Sequence, residues 1–123
     1  MKLRIKGNSV RIRLSRTEVD QFCAEGYLEE KTEFGNNSFL YALQSVDGIP
    51  ALTADISDGK ITMYVPANIR PVWANSETVG YENNMDLGDD SKLYLLLEKD
   101  FKCIDAPPNE DQSDNYENPH KEC

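Results

Sequence analysis

Long hydrophobic runs are missing from this 123-residue chain. The longest clear one, Leu93–Leu97, falls far short of the roughly 18–20 apolar residues that span a bilayer, which excludes a transmembrane helix. The opening Met1-Lys2-Leu3-Arg4-Ile5-Lys6 alternates charged and aliphatic side chains. A secretory signal needs a continuous apolar stretch of about 7–15 residues, so none is expected and the expected location is cytoplasmic. Histidine is nearly absent: the single one, His120, stands in a polar C-terminal stretch, which leaves little support for Ser-His-Asp or Cys-His catalysis. No glycine-rich phosphate loop or dinucleotide fingerprint occurs. The cysteines number three, an odd count, and without a secretory signal they point to thiols rather than disulfides. Cys23 reads as a small apolar residue on a helix face.

Basic residues are scarce after the N-terminus. The chain carries 13 Lys and Arg against 22 Asp and Glu, a net charge of −9. Lys2, Arg4, Lys6, Arg11, Arg13 and Arg16 all fall within residues 1–16, where there is no acid. A composition of 39% hydrophobic and 28% charged residues excludes a collagen, a coiled coil or a wholly disordered chain, and the length suits one domain. From Asp105 onward the apolar pattern stops; Asp105, Glu110, Asp111, Asp114, Glu117 and Glu122 dominate. We read 1–104 as a single folded domain and 105–123 as an acidic, disordered tail.

Within the domain, Leu3, Ile5, Val10, Ile12 and Leu14 alternate with Lys2, Arg4, Lys6, Arg11 and Arg13 around the turn Gly7-Asn8-Ser9. This predicts a hairpin with one greasy and one basic face. Ser15-Arg16-Thr17-Glu18 is a capping box; Val19, Phe22 and Cys23 form a helical stripe behind it, and Gly26 ends the helix. Tyr27–Phe34 with Ser38–Gln44, and Ala51–Ile56 with Lys60–Val65, predict two more hairpins, the last across Asp58-Gly59. Pro66 opens a short helix that Pro71 distorts. Glu77–Glu82 reads as a weak strand, Asn83–Asp90 as a polar loop, and Lys92–Lys99 as a central strand. The expected core is Leu3, Ile5, Ile12, Leu14, Val19, Phe22, Phe39, Tyr41, Trp73, Leu95 and Leu97.

The element order ββαββ occurs twice, over 1–50 and 51–104, which suggests an internal repeat. Val10-Arg11-Ile12-Arg13-Leu14-Ser15 aligns with Ile61-Thr62-Met63-Tyr64-Val65-Pro66, and Phe22 with Trp73. The predicted fold is α+β: a mostly antiparallel sheet or a small pseudo-symmetric β-barrel of about eight strands with two short helices. Val65-Pro66, Ile69-Arg70 and Val79-Gly80 resemble the AbrB-like swapped-hairpin regulators, a likeness that implies a cradle-like barrel and DNA binding. Over most of the chain, Lys6-Gly7-Asn8-Ser9-Val10-Arg11, Glu30-Lys31-Thr32-Glu33-Phe34-Gly35 and Glu98-Lys99-Asp100-Phe101-Lys102-Cys103 resemble an uncharacterised bacterial family, a domain of unknown function. That resemblance implies no assigned activity.

Four site readings follow from residue types. Lys2, Arg4, Lys6, Arg11 and Arg13, with Lys31 on a later strand, could hold an anionic ligand or an acidic partner, because Arg presents a bidentate fork to phosphate or carboxylate. The competing reading is self-neutralisation by Glu29, Glu33, Glu98 and Asp100. Cys103, His120 and Cys123 could supply three soft metal ligands; no cofactor is otherwise expected. The alternation Glu29-x-Lys31-x-Glu33 loosely resembles tunnel-type triphosphatases, which leaves a phosphate-ester-processing enzyme as an alternative. Nucleic acid is disfavoured because the acidic remainder repels a polyanion. The expected function is a non-catalytic binding module.

Overall fold

The computed structural model describes residues 1–101 and 114–116. It has eight strands: β1 (Lys2–Ile5), β2 (Ser9–Leu14), β3 (Tyr27–Glu33), β4 (Ser38–Val46), β5 (Thr53–Ser57), β6 (Lys60–Pro66), β7 (Gly80–Gly88) and β8 (Ser91–Lys99). Helix α1 (Arg16–Glu25) follows β2; a 3₁₀ turn (Ala67–Ile69) and the short α2 (Arg70–Trp73) follow β6. The α+β class is as expected, but the barrel is not. The strands form two separate four-stranded sheets, β1-β2-β8-β7 and β3-β4-β6-β5. The pairing is mostly antiparallel, as expected, since all four hairpins are, but the central pairs β2·β8 and β4·β6 are parallel.

Each half of the chain gives one hairpin to each sheet. The registers of the two sheets match. In the first, Leu3 faces Ile12 and Ile12 pairs with Leu97; in the second, Ala54 faces Met63 and Met63 pairs with Leu43. Ile12, Leu97, Met63 and Leu43 are fully buried between the sheets, with Leu14, Val65 and Leu95. Phe22 of α1 and Trp73 of α2 close the end of this core at which the helices lie, also without exposure. Of the expected core, Leu3, Phe39 and Tyr41 are only partly buried against it, and Ile5 is exposed, at 55%.

Local chemistry sets the element ends. The Ser15 hydroxyl accepts from the Glu18 amide at 3.3 Å while the Glu18 carboxylate accepts from the Ser15 amide at 2.9 Å. Gly26 ends α1 at φ 77, a left-handed conformation suited to glycine, and the Arg70 guanidinium lies against it, donating to Cys23 O and Ala24 O. A cation at that end of α1 complements the helix dipole. The expected weak strand Glu77–Glu82 starts later, at Gly80, and continues through most of the stretch expected as a polar loop, giving β7 paired with β8 from Gly80 to Gly88. Its Asn and Asp residues are poor strand formers, but pairing with β8, continuous from Gly80 to Asp86 with an irregularity before Gly88, overrides that preference.

Among the described residues no backbone hydrogen bond joins the edges of the two sheets; side chains tie them. At one gap the Met1 ammonium meets the Glu18 carboxylate and lies 3.0 Å from Glu30 Oε1, and the single Tyr41 O–H is shared between Met1 O at 3.1 Å and Glu30 Oε2 at 3.0 Å. At the other gap Asn83 Nδ2 donates to Leu52 O at 2.8 Å. Within the segment read as tail, Asp114–Tyr116 lies on the domain. Asp114 O accepts from the Arg16 amide at 2.9 Å, its carboxylate accepts from the Thr17 hydroxyl at 2.8 Å, and Tyr116 N donates to Asp100 O at 2.8 Å.

Candidate anion-binding face

Alternation along β1 and β2 places Lys2, Arg4, Arg11 and Arg13 on the solvent side of the first sheet, opposite the buried aliphatics. The antiparallel register sets Lys2 beside Arg13 and Arg4 beside Arg11. Like charges at cross-strand distance repel, so each pair needs a counter-charge. For the outer pair the chain supplies it: Lys2 Nζ is 2.8 Å from Asp100 Oδ2, and Arg13 Nε donates to Glu98 Oε1 at 2.6 Å. Two of the four acids expected to neutralise the hairpin therefore do so. Glu29 and Glu33 do not; they belong to the other sheet, where Glu29 pairs with Lys60 and Glu33 with Lys31, both at 2.8 Å.

The inner pair is different. Among the described residues Arg4, Lys6 and Arg11 have no carboxylate within 4 Å. Arg11 is half-buried, its guanidinium 5.9 Å from the ring centroid of Tyr94 on β8. The Tyr94 hydroxyl in turn donates to Glu82 Oε2 at 2.5 Å. Lys6 projects from the turn, which is tightly held: Ser9 Oγ donates to Lys6 O at 2.7 Å, and Asn8 Nδ2 to Lys92 O at 2.5 Å. The face thus has Arg4 and Arg11 at its centre, Lys6 at one end and the Tyr94 ring beside Arg11.

Lys31 is not brought to this face. It lies on the outer side of β3 in the second sheet, and the Glu29-x-Lys31-x-Glu33 alternation is exposed there rather than enclosed. Cys103, His120 and Cys123 lie outside the described residues. Among the described residues no group of His, Cys, Asp or Glu is placed to hold a metal ion, and no helix is long and apolar enough to cross a membrane. Cys23 is half-buried against the core, and burial raises its thiol pKa above the ordinary value, which disfavours the reactive thiolate. Sequence reasoning missed Tyr94 as a neighbour of Arg11. Placing it required the parallel register of β2 and β8, which joins residues from opposite ends of the chain.

Fold and face together define a two-sheet α+β domain with hairpins exchanged between its halves and one basic surface on the first sheet. Within that class, the chain belongs to a family of unknown function (DUF7009), which matches residues 1–120, as the three short segments led us to expect. No curated protein and no solved structure matches it.

Proposed function

We propose that the protein is a cytoplasmic, non-catalytic binding module that takes an anionic ligand, a phosphate or carboxylate group, between Arg4 and Arg11. The supporting observation is the facing arginine pair, which has no acid of its own among the described residues, beside a second basic pair that has one on each side. An oxyanion seated between two guanidinium groups accepts charge-assisted hydrogen bonds from both and relieves their repulsion. Lys6 adds charge at the open end, and the Tyr94 ring limits how Arg11 can turn. An acidic protein surface offers the same carboxylate chemistry.

A ligand that binds only the folded state raises the melting temperature in proportion to ln(1 + [L]/Kd). Titration with inorganic phosphate and nucleoside triphosphates is expected to raise it, and Arg4→Ala/Arg11→Ala to abolish the rise while leaving the fold intact. No shift at millimolar ligand would sink the proposal. A second reading, an AbrB-like nucleic-acid binder, draws support from the exchange of hairpins between halves. It predicts retention on heparin that falls steeply with salt, because phosphate contacts release counterions. Flow-through at low salt would dismiss it.

A further inference from the structure

At the end of the sheets away from the helices, hairpins β1–β2, β5–β6 and β7–β8 surround a cavity of about 350 Å³. Its walls include Val10 and Leu93 from one sheet and Ala54 and Ile61 from the other; Ile5 and Ile56 stand at the mouth, 55% and 67% exposed.

The matching registers explain why there is space here. Ala54 holds the position in the second sheet that Leu3 holds in the first, since each faces the buried residue at the centre of its sheet. Leu93 holds the position of Phe39: Leu93 stands two residues before Leu95, the partner of Val10, and Phe39 two before Tyr41, the partner of Ile61. At both stations the residue lining the cavity is the smaller of the pair. All four pack against the core, but Leu3 and Phe39 do not line this cavity.

The polar side chains around the cavity are already engaged. Asn8 and Ser9 donate to backbone carbonyls of Lys92 and Lys6, and the Asp55 carboxylate accepts from the Tyr64 hydroxyl at 3.0 Å on the outer side of its sheet. What remains for an occupant is apolar surface. The volume lies at the small end of the range for small-molecule sites, and an apolar cavity gives water few partners.

We propose that this cavity is a binding site for a small uncharged apolar molecule, an alkyl chain or a compact aromatic ring system. It is separate from the arginine face, which lies on the opposite side of the first sheet, so either can fail without the other. The test uses the full chain and the neutral probe N-phenyl-1-naphthylamine, whose fluorescence rises in apolar surroundings, with 1-octanol as competitor. The wild type is expected to bind one equivalent saturably, to release it to octanol, and to keep it in excess phosphate. Ala54→Leu restores the side chain that the other sheet carries and fills the space; Leu93→Phe does so from the opposite wall. Each is expected to weaken probe binding at least tenfold with an unchanged or higher melting temperature, as cavity filling gives. Absence of saturable binding overturns the proposal. So does binding undiminished in both folded variants, or a probe signal lost on self-association in sedimentation, which would make a second copy the occupant.

Discussion

Lys99 is a cation that the fold keeps from water, at 5% exposure. Its ammonium donates to Ser76 O at 2.8 Å and lies 5.1 Å from the Tyr116 ring centroid, with no carboxylate partner among the described residues. Burial lowers its pKa from the ordinary lysine value; Cys23 opposes this in part, and Arg16 adds a lesser lowering. The folded value lies below the unfolded one, so between the two the unfolded chain binds more protons and stability rises with pH. Lys99→Met keeps the apolar stem and removes the charge. We expect its melting temperature at pH 7 to equal or exceed that of the wild type, because replacing a buried charge by an apolar group is often neutral or stabilising. The difference between the two proteins should shrink as pH approaches 10.5. Comparing the pair cancels the tyrosines, of which Tyr41, pushed up to about 12 by burial and by Glu30, loses stability over that range and above it. A large loss in Lys99→Met at pH 7 would show that the Ser76 bond outweighs the cost of burial. The burial of Lys99 was legible in principle, since it shares a strand face with Leu93, Leu95 and Leu97. So was the basic face, because alternation alone sorts Lys2, Arg4, Arg11 and Arg13 from the aliphatics. Which cations would find an acid was not legible, because Asp100 and Glu98 reach them only through the β2·β8 pairing.

The elements that sequence pattern places well are those whose signals are local. The capping box, the C-terminal Gly26 and the Asp58-Gly59 turn each concern a few neighbouring residues, and α1 and the first three hairpins lie where these signals put them. The part of strand β7 from Asn83 onward was missed because its pairing with β8, not its own composition, makes it a strand. One residue of β7 also works across the sheets: Asn83 donates to Leu52 O, as the Glu30–Met1 contact ties the opposite gap. Leu52 is buried, so its carbonyl would lose its donor in Asn83→Leu. A buried acceptor left unsatisfied costs about 1–3 kcal/mol. Urea denaturation of Asn83→Leu is expected to show a loss of that size with an unchanged m-value. A loss under about 0.5 kcal/mol, the range of an ordinary surface substitution, would mean that the tie contributes little.

At the scale of the molecule, the expected barrel and the observed pair of sheets use the same hairpins and differ in how distant ones join. Hairpin formation is a local matter, but the parallel pairs β2·β8 and β4·β6 bring together the two halves of the chain, and no short-range pattern specifies them. This arrangement has a consequence for folding. Neither half holds a whole sheet: residues before the β4–β5 connection own β1-β2 and β3-β4, and those after it own β5-β6 and β7-β8. Cut at that connection, near Gly48, each fragment would expose the unpaired edge of its central strands and one side of the core. Two-stranded hairpins are marginal by themselves in water. We therefore expect fragments 1–48 and 49–123 to show no cooperative thermal transition separately, and an equimolar mixture to recover one together with the native near-ultraviolet signal of Trp73. Recovery should be second order in fragment concentration, since the parallel pairs can form only after the halves meet. A monomeric fragment that melts cooperatively by itself would show that one half contains a sufficient core. The exchange of hairpins would then be an embellishment of the fold rather than the interaction that completes it.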